Sequence, residues 1–337
     1  MAPTAKELAK SLNISASTVS MVLNNRPGVS EQTKQLVLKE AEKIGLNLSK
    51  RRIPSGNPSN IHFIIYKKHG KVVSDTPFFS QLIEGIDFEA KKFGFSLQIT
   101  YFNETADTDD QLNSIRGSGS SGLLILATEM NSSNMDMFAS LNLPTVVLDA
   151  YFERRHHDTI VINNVQGAFD ATSYLVSHGH EQIGYLRSKI RIKNFLEREE
   201  GFLKGLGAQK KTEFVFDVEP TSEGAYNDMK AILSKSPTLP TAFFADNDII
   251  AISCMKALKE KGILLPENIS VVGFDDIMPL CEIIEPKLTT MRVPKQRLGM
   301  LALDRLIANI NNETKEIIKM EVSTELIERS SVRHFSM

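Results

Sequence analysis

Polar side chains follow three apolar runs of this 337-residue chain, at the point where each run ends. They stand at Asp149, at residues 246–248 (Asp-Asn-Asp) and at residues 275–276 (Asp-Asp). Short apolar runs of this kind predict buried strands. Ligands of open α/β sheets bind outside the carboxyl ends of the strands, so these side chains are candidates for ligand binding.

The chemistry of these groups favours a hydroxyl-rich ligand. A carboxylate or an amide can hydrogen-bond two adjacent hydroxyls of a sugar, an arginine can hold a ring oxygen, and an aromatic ring can stack on the sugar face. For two of the carboxylates, a role in the fold is an alternative to ligand binding. We favour Asp248 as the cap of the helix that follows it, and Asp276 as a cap or a turn residue remains an alternative.

Three further patterns do not predict catalysis or a cofactor. Residues 117–122 fit G-x-G-x-x-G, but they precede an apolar run instead of following one, so we expect a flexible loop rather than a dinucleotide site. The histidines at 156–157 and 178–180 have no supporting ligand cluster, so we expect no metal. No catalytic triad has a recognisable context. We therefore predict that the protein is not an enzyme and has no cofactor.

The first 45 residues have the pattern of three short helices. Thr4 and Glu7 have the spacing of a capping box, and Ser15 and Ser30 are placed to cap the second and third helices. Two short helices joined by a tight turn form a helix-turn-helix unit, in which the second helix reads DNA. The alternative is an ordinary three-helix bundle.

The outward face of the second predicted helix carries Ala16, Ser17, Ser20 and Met21. Hydroxyl groups can donate to phosphates and base edges, whereas alanine and methionine can contact only thymine methyls or fill space. This face is the candidate DNA-reading surface.

Charge is distributed unevenly along the chain. The net charge is -2, with 24% charged and 42% hydrophobic residues. Residues 1–60 contain nine Lys/Arg and four Glu and carry +5, and the rest of the chain carries -7. A basic front on an acidic body is typical of a small DNA-binding module fused to a domain of different function.

No apolar run is long enough for a membrane span, and the N-terminus lacks the apolar core of a signal peptide. The two cysteines, Cys254 and Cys281, lack metal-site spacing. We expect a cytoplasmic protein that does not contact a membrane.

Residues 46–60 read as a linker because they contain two prolines, a glycine and several small polar residues. The cluster Lys50, Arg51 and Arg52 would either lie along DNA phosphates or belong to a solvated tether, and the residues alone leave both open.

From residue 60 onward, apolar runs alternate with amphipathic helical patterns. This alternation predicts an α/β fold with doubly wound parallel sheets. The predicted strands lie at residues 61–66, 96–100, 122–126, 145–149, 183–186, 241–245 and 269–274. Residues 326–331 predict a final strand and a short tail. The predicted helices lie near residues 79–93, 164–178, 194–207, 222–234, 247–261 and 295–310.

The chain resembles the lactose repressor/galactose repressor family of bacterial transcriptional regulators. In the N-terminal part the resemblance rests on the spacing of Thr18-Val19-Ser20, Val22-Leu23-Asn24 and Val29-Ser30-x-x-Thr33. In the rest of the chain it rests on Pro77-Phe78-Phe79, Gly179-His180-x-x-Ile183-Gly184-Tyr185, Arg198-x-x-Gly201-Phe202, Asn247-Asp248, Val272-Gly273-Phe274-Asp275-Asp276 and Pro286-x-Leu288-Thr289-Thr290.

The resemblance implies a helix-turn-helix headpiece and a two-lobed core similar to periplasmic sugar-binding proteins. The implied divisions are a DNA-binding domain at residues 1–46, a hinge at 47–60 and an effector-binding core at 61–337. The N-terminal lobe of the core comprises about residues 61–162 and 291–322. The C-terminal lobe comprises about residues 163–290 and 323–337. The implied partners are double-stranded DNA with a palindromic operator, a small carbohydrate effector and a second copy of the chain.

The family positions, with the residue patterns above, give two candidate sites. The DNA-binding candidates are Thr4, Ser15, Ala16, Ser17, Thr18, Ser20, Met21, Asn24, Lys50, Arg51 and Arg52. The effector-binding candidates are Phe78, Phe79, Asp149, Asn164, Arg198, Asn247 and Asp275. A surface pair of Arg198 with Glu199 or Glu200 is the alternative for that arginine.

The sequence departs from the family pattern at three places. The Ala-Arg-x-Leu pattern of the hinge helix is absent, and Leu48 or Ile53 would have to replace its leucine. Met21 stands where the family often has an arginine able to hold guanine. Residues 66–71 are longer than the usual loop.

The sequence is compatible with three functions. The leading one is a ligand-controlled repressor of carbohydrate-utilisation genes. A sugar-binding protein without DNA function would need an export signal and would leave the headpiece pattern unexplained. A sugar-modifying enzyme would need a nucleophile or a metal site.

Overall fold

The protein is described from a computed structural model. The structure describes residues 5–23, 29–43, 60–73, 77–153, 157–207, 213–313 and 316–334. Within these ranges, every helix is too short or too polar to cross a bilayer.

Three helices form the N-terminal domain: α1 (Ala5–Ser11), α2 (Ala16–Leu23) and α3 (Glu31–Lys43). The Ser15 hydroxyl accepts a hydrogen bond from the Thr18 backbone amide at 2.9 Å. The Ser30 hydroxyl accepts one from the Thr33 amide at 3.2 Å. Each contact satisfies an amide that the first helical turn leaves free, so both predicted caps are confirmed. A small apolar core joins the helices through Leu8, Ala9, Val19, Val22, Val37 and Ala41.

A six-stranded parallel sheet forms the first lobe of the core. Its strands are β1 (Asn60–Lys67), β2 (Ser96–Asn103), β3 (Ser120–Leu126), β4 (Thr145–Leu148), β5 (Asp158–Ile162) and β11 (Lys319–Val322). Their order is β11-β5-β4-β3-β1-β2. The order of the first five strands is that of a doubly wound fold whose switch point lies between β1 and β3.

A second sheet repeats this topology in the other lobe. Its strands are β6 (Ile183–Ser188), β7 (Val215–Val218), β8 (Ala242–Ala245), β9 (Ser270–Asp275), β10 (Thr289–Arg292) and β12 (Glu325–Ile327). Their order is β12-β10-β9-β8-β6-β7, with β12 antiparallel to β10. Two such sheets confirm the predicted fold class.

Helices cover both faces of each sheet, which explains why the strands are continuously apolar. The helices of the first lobe are α4 (Phe78–Lys92), α5 (Thr108–Gly117), α6 (Asp136–Ala139) and α12 (Lys295–Ile310). Those of the second are α7 (Asn164–Ser177), α8 (Lys193–Gly205), α9 (Ser222–Ser234), α10 (Asp248–Glu260) and α11 (Leu280–Ile283). Packing of α4 against α12 and of α7 against α8 covers one face of each sheet.

The chain changes sheets three times: between β5 and β6, after β10, and between β11 and β12. The predicted lobe boundary at 290/291 falls inside β10. The numerical domain boundaries otherwise stay a prediction.

One local expectation is wrong. Residues 117–122 are not a loop, because Gly117 ends α5 and Ser120 begins β3, and only residues 118–119 form the turn between them.

Candidate functional site

A small cavity of about 30 Å³ lies between the two lobes, next to the carboxyl ends of the strands. Six of the seven predicted effector residues line it: Phe78, Phe79, Asp149, Arg198, Asn247 and Asp275. The other lining residues are Val72, Thr128, Ile162, Ile192, Asn194 and Phe195. A space of this size holds about one water molecule, so the lobes are nearly closed on each other.

Arg198, on the first turns of α8, is the centre of the polar part of the cavity wall. Its side chain is 3% exposed. The guanidinium donates from Nε to Asn164 Oδ1 at 3.0 Å, from Nη1 to the Asp246 carbonyl at 2.5 Å and from Nη2 to Asp275 Oδ1 at 3.0 Å. Every guanidinium nitrogen has a protein acceptor, so the alternative surface pairing with Glu199 or Glu200 is wrong.

Asn164 supports Arg198 without lining the cavity. Its Oδ1 accepts from Arg198, while its Nδ2 donates to Glu197 Oε2 at 3.0 Å and to Asn194 Oδ1 at 3.3 Å. The amide therefore fixes the orientation of the guanidinium.

Two carboxylates meet the cavity from opposite lobes, Asp149 after β4 and Asp275 at the end of β9. Their φ angles are +66° and +108°. Residues other than glycine rarely adopt these positive φ angles, and Asp is among the residues that tolerate them. The backbone turns sharply at both strand ends, which brings each carboxylate to the cleft.

Asp149 retains an unused hydrogen-bond acceptor. The Thr128 hydroxyl donates to Asp149 Oδ2 at 2.6 Å, whereas Oδ1 has no hydrogen bond of good geometry from the described residues. The Asn194 side chain interacts with this carboxylate and stabilises its charged form. Buried polar atoms are normally paired. A hydroxyl or amine of a ligand in the cavity would satisfy this oxygen.

Burial governs the electrostatics of the site. It raises the pKa of Asp149 to about 6, although the Thr128 hydrogen bond and the Arg198 charge oppose the rise. Burial also raises the pKa of Asp246, directly behind Arg198, to about 7, and it raises the pKa of Asp275. The raised pKa values mean that these carboxylates give up their protons less readily than exposed ones. The charges of Arg198 and Lys295 act on Asp275 in the opposite direction.

Phe78 and Phe79 form the aromatic wall on the first lobe. Their rings are 5.1 Å apart between centroids and meet at 68°. The buried Lys295 ammonium lies 5.5 Å from the Phe78 ring. It donates to the backbone carbonyls of Asp275 and Asp276. These two N–H groups are therefore not available to a ligand in the cavity.

The cap of α10 is Asn247, which also lines the cavity, and not Asp248. Asn247 caps α10, because its Oδ1 accepts from the Ile250 amide at 2.9 Å. Asp248 is not the cap. It is buried and accepts from the Thr290 hydroxyl at 2.6 Å and from the Ile277 amide at 2.8 Å, so it ties α10 to β10 and to the segment after β9. Asp276 forms ion pairs with Arg292 and Arg329, both at 2.7 Å.

The sequence interpretation missed several cavity residues. Thr128 stands two residues after β3, so the strand-end rule applied to Leu126 would have found it. Val72, Ile192 and Phe195 gave no such signal, because they enter the cavity only through the approach of the two lobes.

The described DNA-binding candidates lie on α2 or at its N-cap, Ser15. Ser15, Ala16 and Ser17 are exposed, and Thr18 and Met21 are partly buried. The Ser15 and Ser17 hydroxyl oxygens are 2.6 Å apart. The other candidates lie outside the described residues or have undescribed side chains: Thr4, Ser20, Asn24, Lys50, Arg51 and Arg52.

The described residues contain no group of three or more His, Cys, Asp or Glu side chains arranged to hold a metal ion. Both cysteines are buried and unpaired.

Known proteins resemble both parts of the chain. A profile of bacterial regulatory proteins of the lacI family matches residues 4–46. A profile of the periplasmic binding protein-like domain matches residues 172–332. The chain is 32% identical over 337 residues to the HTH-type transcriptional repressor PurR of Pasteurella multocida, and the alignment covers 98% of each protein.

Solved structures share the fold over almost the whole chain. The lac repressor dimer bound to operator and the anti-inducer ONPF superposes with a TM-score of 0.73 at 21% identity, covering 99% of this chain and 100% of that one. The transcriptional regulator CelR in complex with cellobiose gives a TM-score of 0.72 at 22% identity, with 98% and 99% coverage.

Proposed function

The chain belongs to the LacI family of bacterial regulatory proteins, and we propose that it represses carbohydrate-utilisation genes by binding a palindromic operator as a homodimer under the control of a small sugar. At the coarser level it is a transcriptional repressor with a DNA-binding headpiece and a ligand-binding core. Its relatives are named as repressors rather than enzymes.

The observation that carries the proposal is the Arg198–Asp275 pair at the interlobe cavity of a chain that begins with a helix-turn-helix. The pair is buried at 3.0 Å and joined to Asn164 and Asp246. A buried ion pair by itself contributes little to the net stability of a protein. A network directed at a cavity between two movable lobes is better explained by ligand recognition.

An uncharged, hydroxyl-bearing ligand fits this site. Asp149 Oδ1 offers an acceptor, and Phe78, Phe79 and Phe195 offer apolar faces for a sugar ring. A phosphorylated or acidic sugar is disfavoured, because each Arg198 nitrogen already donates to the protein and none is left to hold an anion. The solved CelR structure is a complex with a sugar, cellobiose.

Control would follow from lobe movement. A cavity of about 30 Å³ cannot hold a monosaccharide, so a ligand must bind a state with a wider cleft. A ligand that prefers one lobe arrangement shifts the population toward it. The linker at residues 47–60 would pass this shift to the headpieces.

Two features support a dimer. The lac repressor relative was solved as a dimer on its operator. In this chain, α9, α10 and α11 line an apolar groove of about 860 Å³ that includes Ile252, Leu280 and Ile283. Ile283 is 72% exposed, and a patch of this kind typically marks a protein contact.

Selection from a random duplex library with full-length protein, at about physiological salt, tests the DNA-binding proposal. We expect enrichment of a palindrome of roughly 14–20 base pairs, because two headpieces read half-sites about one helical turn apart. Enrichment of a single unrepeated half-site would refute the dimer. No enrichment, with or without a mixture of neutral sugars, would refute sequence-specific operator binding.

A further inference from the structure

A buried carboxylate organises the segment that follows β1. Glu129, three residues after β3, accepts five backbone hydrogen bonds from residues 68–73, hereafter the latch segment. Its Oε2 accepts from the amides of Lys68, His69 and Gly70 at 2.8–3.1 Å, and its Oε1 accepts from the amides of Val72 and Val73 at 3.0 and 3.3 Å. The side chain of Glu129 is fully buried.

This arrangement resembles an anion held in a nest of backbone amides, with the anion supplied by the chain itself. Charged acceptors form stronger hydrogen bonds than neutral ones. The latch segment lacks helix or strand pairing of its own, so the carboxylate substitutes for secondary structure. Gly70 has a φ of +72°, which lets successive amides turn toward the same carboxylate.

The latch segment, fixed to the first lobe, contacts the second lobe on its other side. Lys71 Nζ lies 2.9 Å from Glu219 Oε2, just after β7. Val72 packs with Ile192 and Phe195 in a small buried cluster, and the same three residues line the interlobe cavity. One short segment thus connects Glu129 in one lobe to two contact points in the other.

We propose that Glu129 is a positioning residue of the ligand cleft, which holds the latch segment so that Lys71 and Val72 keep the two lobes closed without a ligand. Opening of the cleft then requires separation of Lys71 from Glu219 and exposure of the Val72 cluster. The closed state is a property of the core and does not depend on the identity of the ligand or the operator.

The test measures the distance between the lobes in full-length protein without ligand, by pulsed electron paramagnetic resonance. Spin labels are placed at Asp109→Cys in α5 and Lys193→Cys in α8, both exposed positions on the first turns of helices that follow the carboxyl ends of β2 and β6. The native Cys254 and Cys281 are fully buried and stay unlabelled. Dilution with unlabelled protein restricts the signal to distances within one protomer.

We expect one short distance in the parent protein. Lys71→Glu should increase the population with a longer distance by about threefold, as expected for an exposed ion pair, and the swap Lys71→Glu with Glu219→Lys should restore the short distance. Glu129→Gln should increase the population with the longer distance by about tenfold or more. The amide nitrogen of glutamine cannot accept a hydrogen bond, so the backbone amides that bind one of the two Glu129 oxygens would lose their acceptor.

The matched control is Lys68→Glu, which makes the same charge change in the latch segment at an exposed lysine that forms no ion pair with the described residues of the second lobe. It should leave the distances unchanged. Circular dichroism verifies that each variant is folded. An unchanged distance distribution in either Glu129→Gln or Lys71→Glu, or failure of the swap to restore closure, would overturn the proposal. If Glu129→Gln does not fold, Lys71→Glu and its swap decide alone.

Discussion

At the scale of single residues, the cleft is built from groups whose burial is costly. Arg198 and Asp275 are both more than 90% buried. The free-energy cost of removing water from two charges cancels much of the attraction between them. Asn164, the Asp246 carbonyl and the Phe274 ring, 3.8 Å from the guanidinium carbon, offset part of this cost. The site therefore sacrifices stability in order to hold its charges in fixed positions.

The pH dependence of stability reports one of these costs. Burial raises the pKa of Asp149 from 3.8 to about 6, so between these values the folded protein holds a proton that the unfolded chain has lost. Stability from this group is therefore present at low pH and is lost as the pH rises through 6. Asp149→Asn removes the titration and retains an acceptor for Thr128.

We expect the melting temperature of Asp149→Asn relative to the parent to rise between pH 4 and 6 and to stay constant above 6. The difference corresponds to about 3 kcal/mol at most. Thermal melts of both proteins at four pH values measure it. A melting temperature of Asp149→Asn minus that of the parent that is independent of pH, or that falls as the pH rises, would contradict the burial of an ionisable Asp149.

Met21, a partly buried residue of α2, is a proposed DNA contact. Met21→Arg should shift the base preference at one position of each half-site toward guanine, because arginine can donate two hydrogen bonds to O6 and N7, a discrimination of about 1–3 kcal/mol. Repeating the library selection with Met21→Arg, and with Met21→Leu as the control, measures the shift. An unchanged preference in Met21→Arg would refute the contact.

At the scale of elements, α7 and α8 pack so closely that their contact requires glycine. A Cβ on Gly201 would lie 2.2 Å from the Val165 carbonyl oxygen and 2.8 Å from the Ala168 Cβ. Arg198 stands one turn before Gly201 on α8. The close packing therefore also sets the distance of Arg198 from Asn164 on α7.

Gly201→Ala should lower the melting temperature by several degrees, because forcing the two helices apart costs about 1–3 kcal/mol. The control is Gly117→Ala at the end of α5, where an added Cβ would meet nothing within 4 Å. It should be neutral or slightly stabilising, since alanine favours the helix. Equal melting temperatures for the two variants would contradict close packing of α7 against α8.

The element scale also separates what the sequence predicts from what it does not. The apolar runs predicted seven of the strands, and the end of the chain predicted an eighth, β12. Ser15 and Ser30 predicted the helix starts, because burial and capping are local patterns. Strands β5, β7, β10 and β11 escaped prediction: most of them are short, and β7 and β11 are only partly buried.

The roles of Asn247 and Asp248 show where local patterns fail. Both residue types cap helices, and only the three-dimensional contacts reveal that Asn247 caps α10 while Asp248 reaches Thr290. Likewise, Arg198 had a surface alternative in its sequence neighbours. Its burial depends on the approach of Asp275, 77 residues away, which no spacing in the sequence expresses.

At the scale of the whole molecule, two lobes whose sheets share the order of their first five strands meet at a small cavity, and a three-helix domain precedes them. A ligand can regulate DNA binding only through different affinities for two arrangements of these parts. The chain crosses between the sheets three times, and the linker precedes β1 in the first lobe. A rotation of one lobe relative to the other would therefore move β1 relative to the second lobe.

The most direct test of this account measures DNA affinity with and without ligand, by fluorescence anisotropy on the duplex enriched in the selection. A panel of neutral sugars is added to the parent protein, to Asp275→Asn and to the exposed control Asp109→Asn. Asparagine tolerates the positive φ of position 275 but removes the charge that pairs with Arg198.

We predict that at least one sugar changes the Kd of the parent and of Asp109→Asn by about fivefold or more. Asp275→Asn should keep the sugar-free Kd and lose the response. A sugar response of Asp275→Asn equal to that of the parent would contradict ligand control through this cleft.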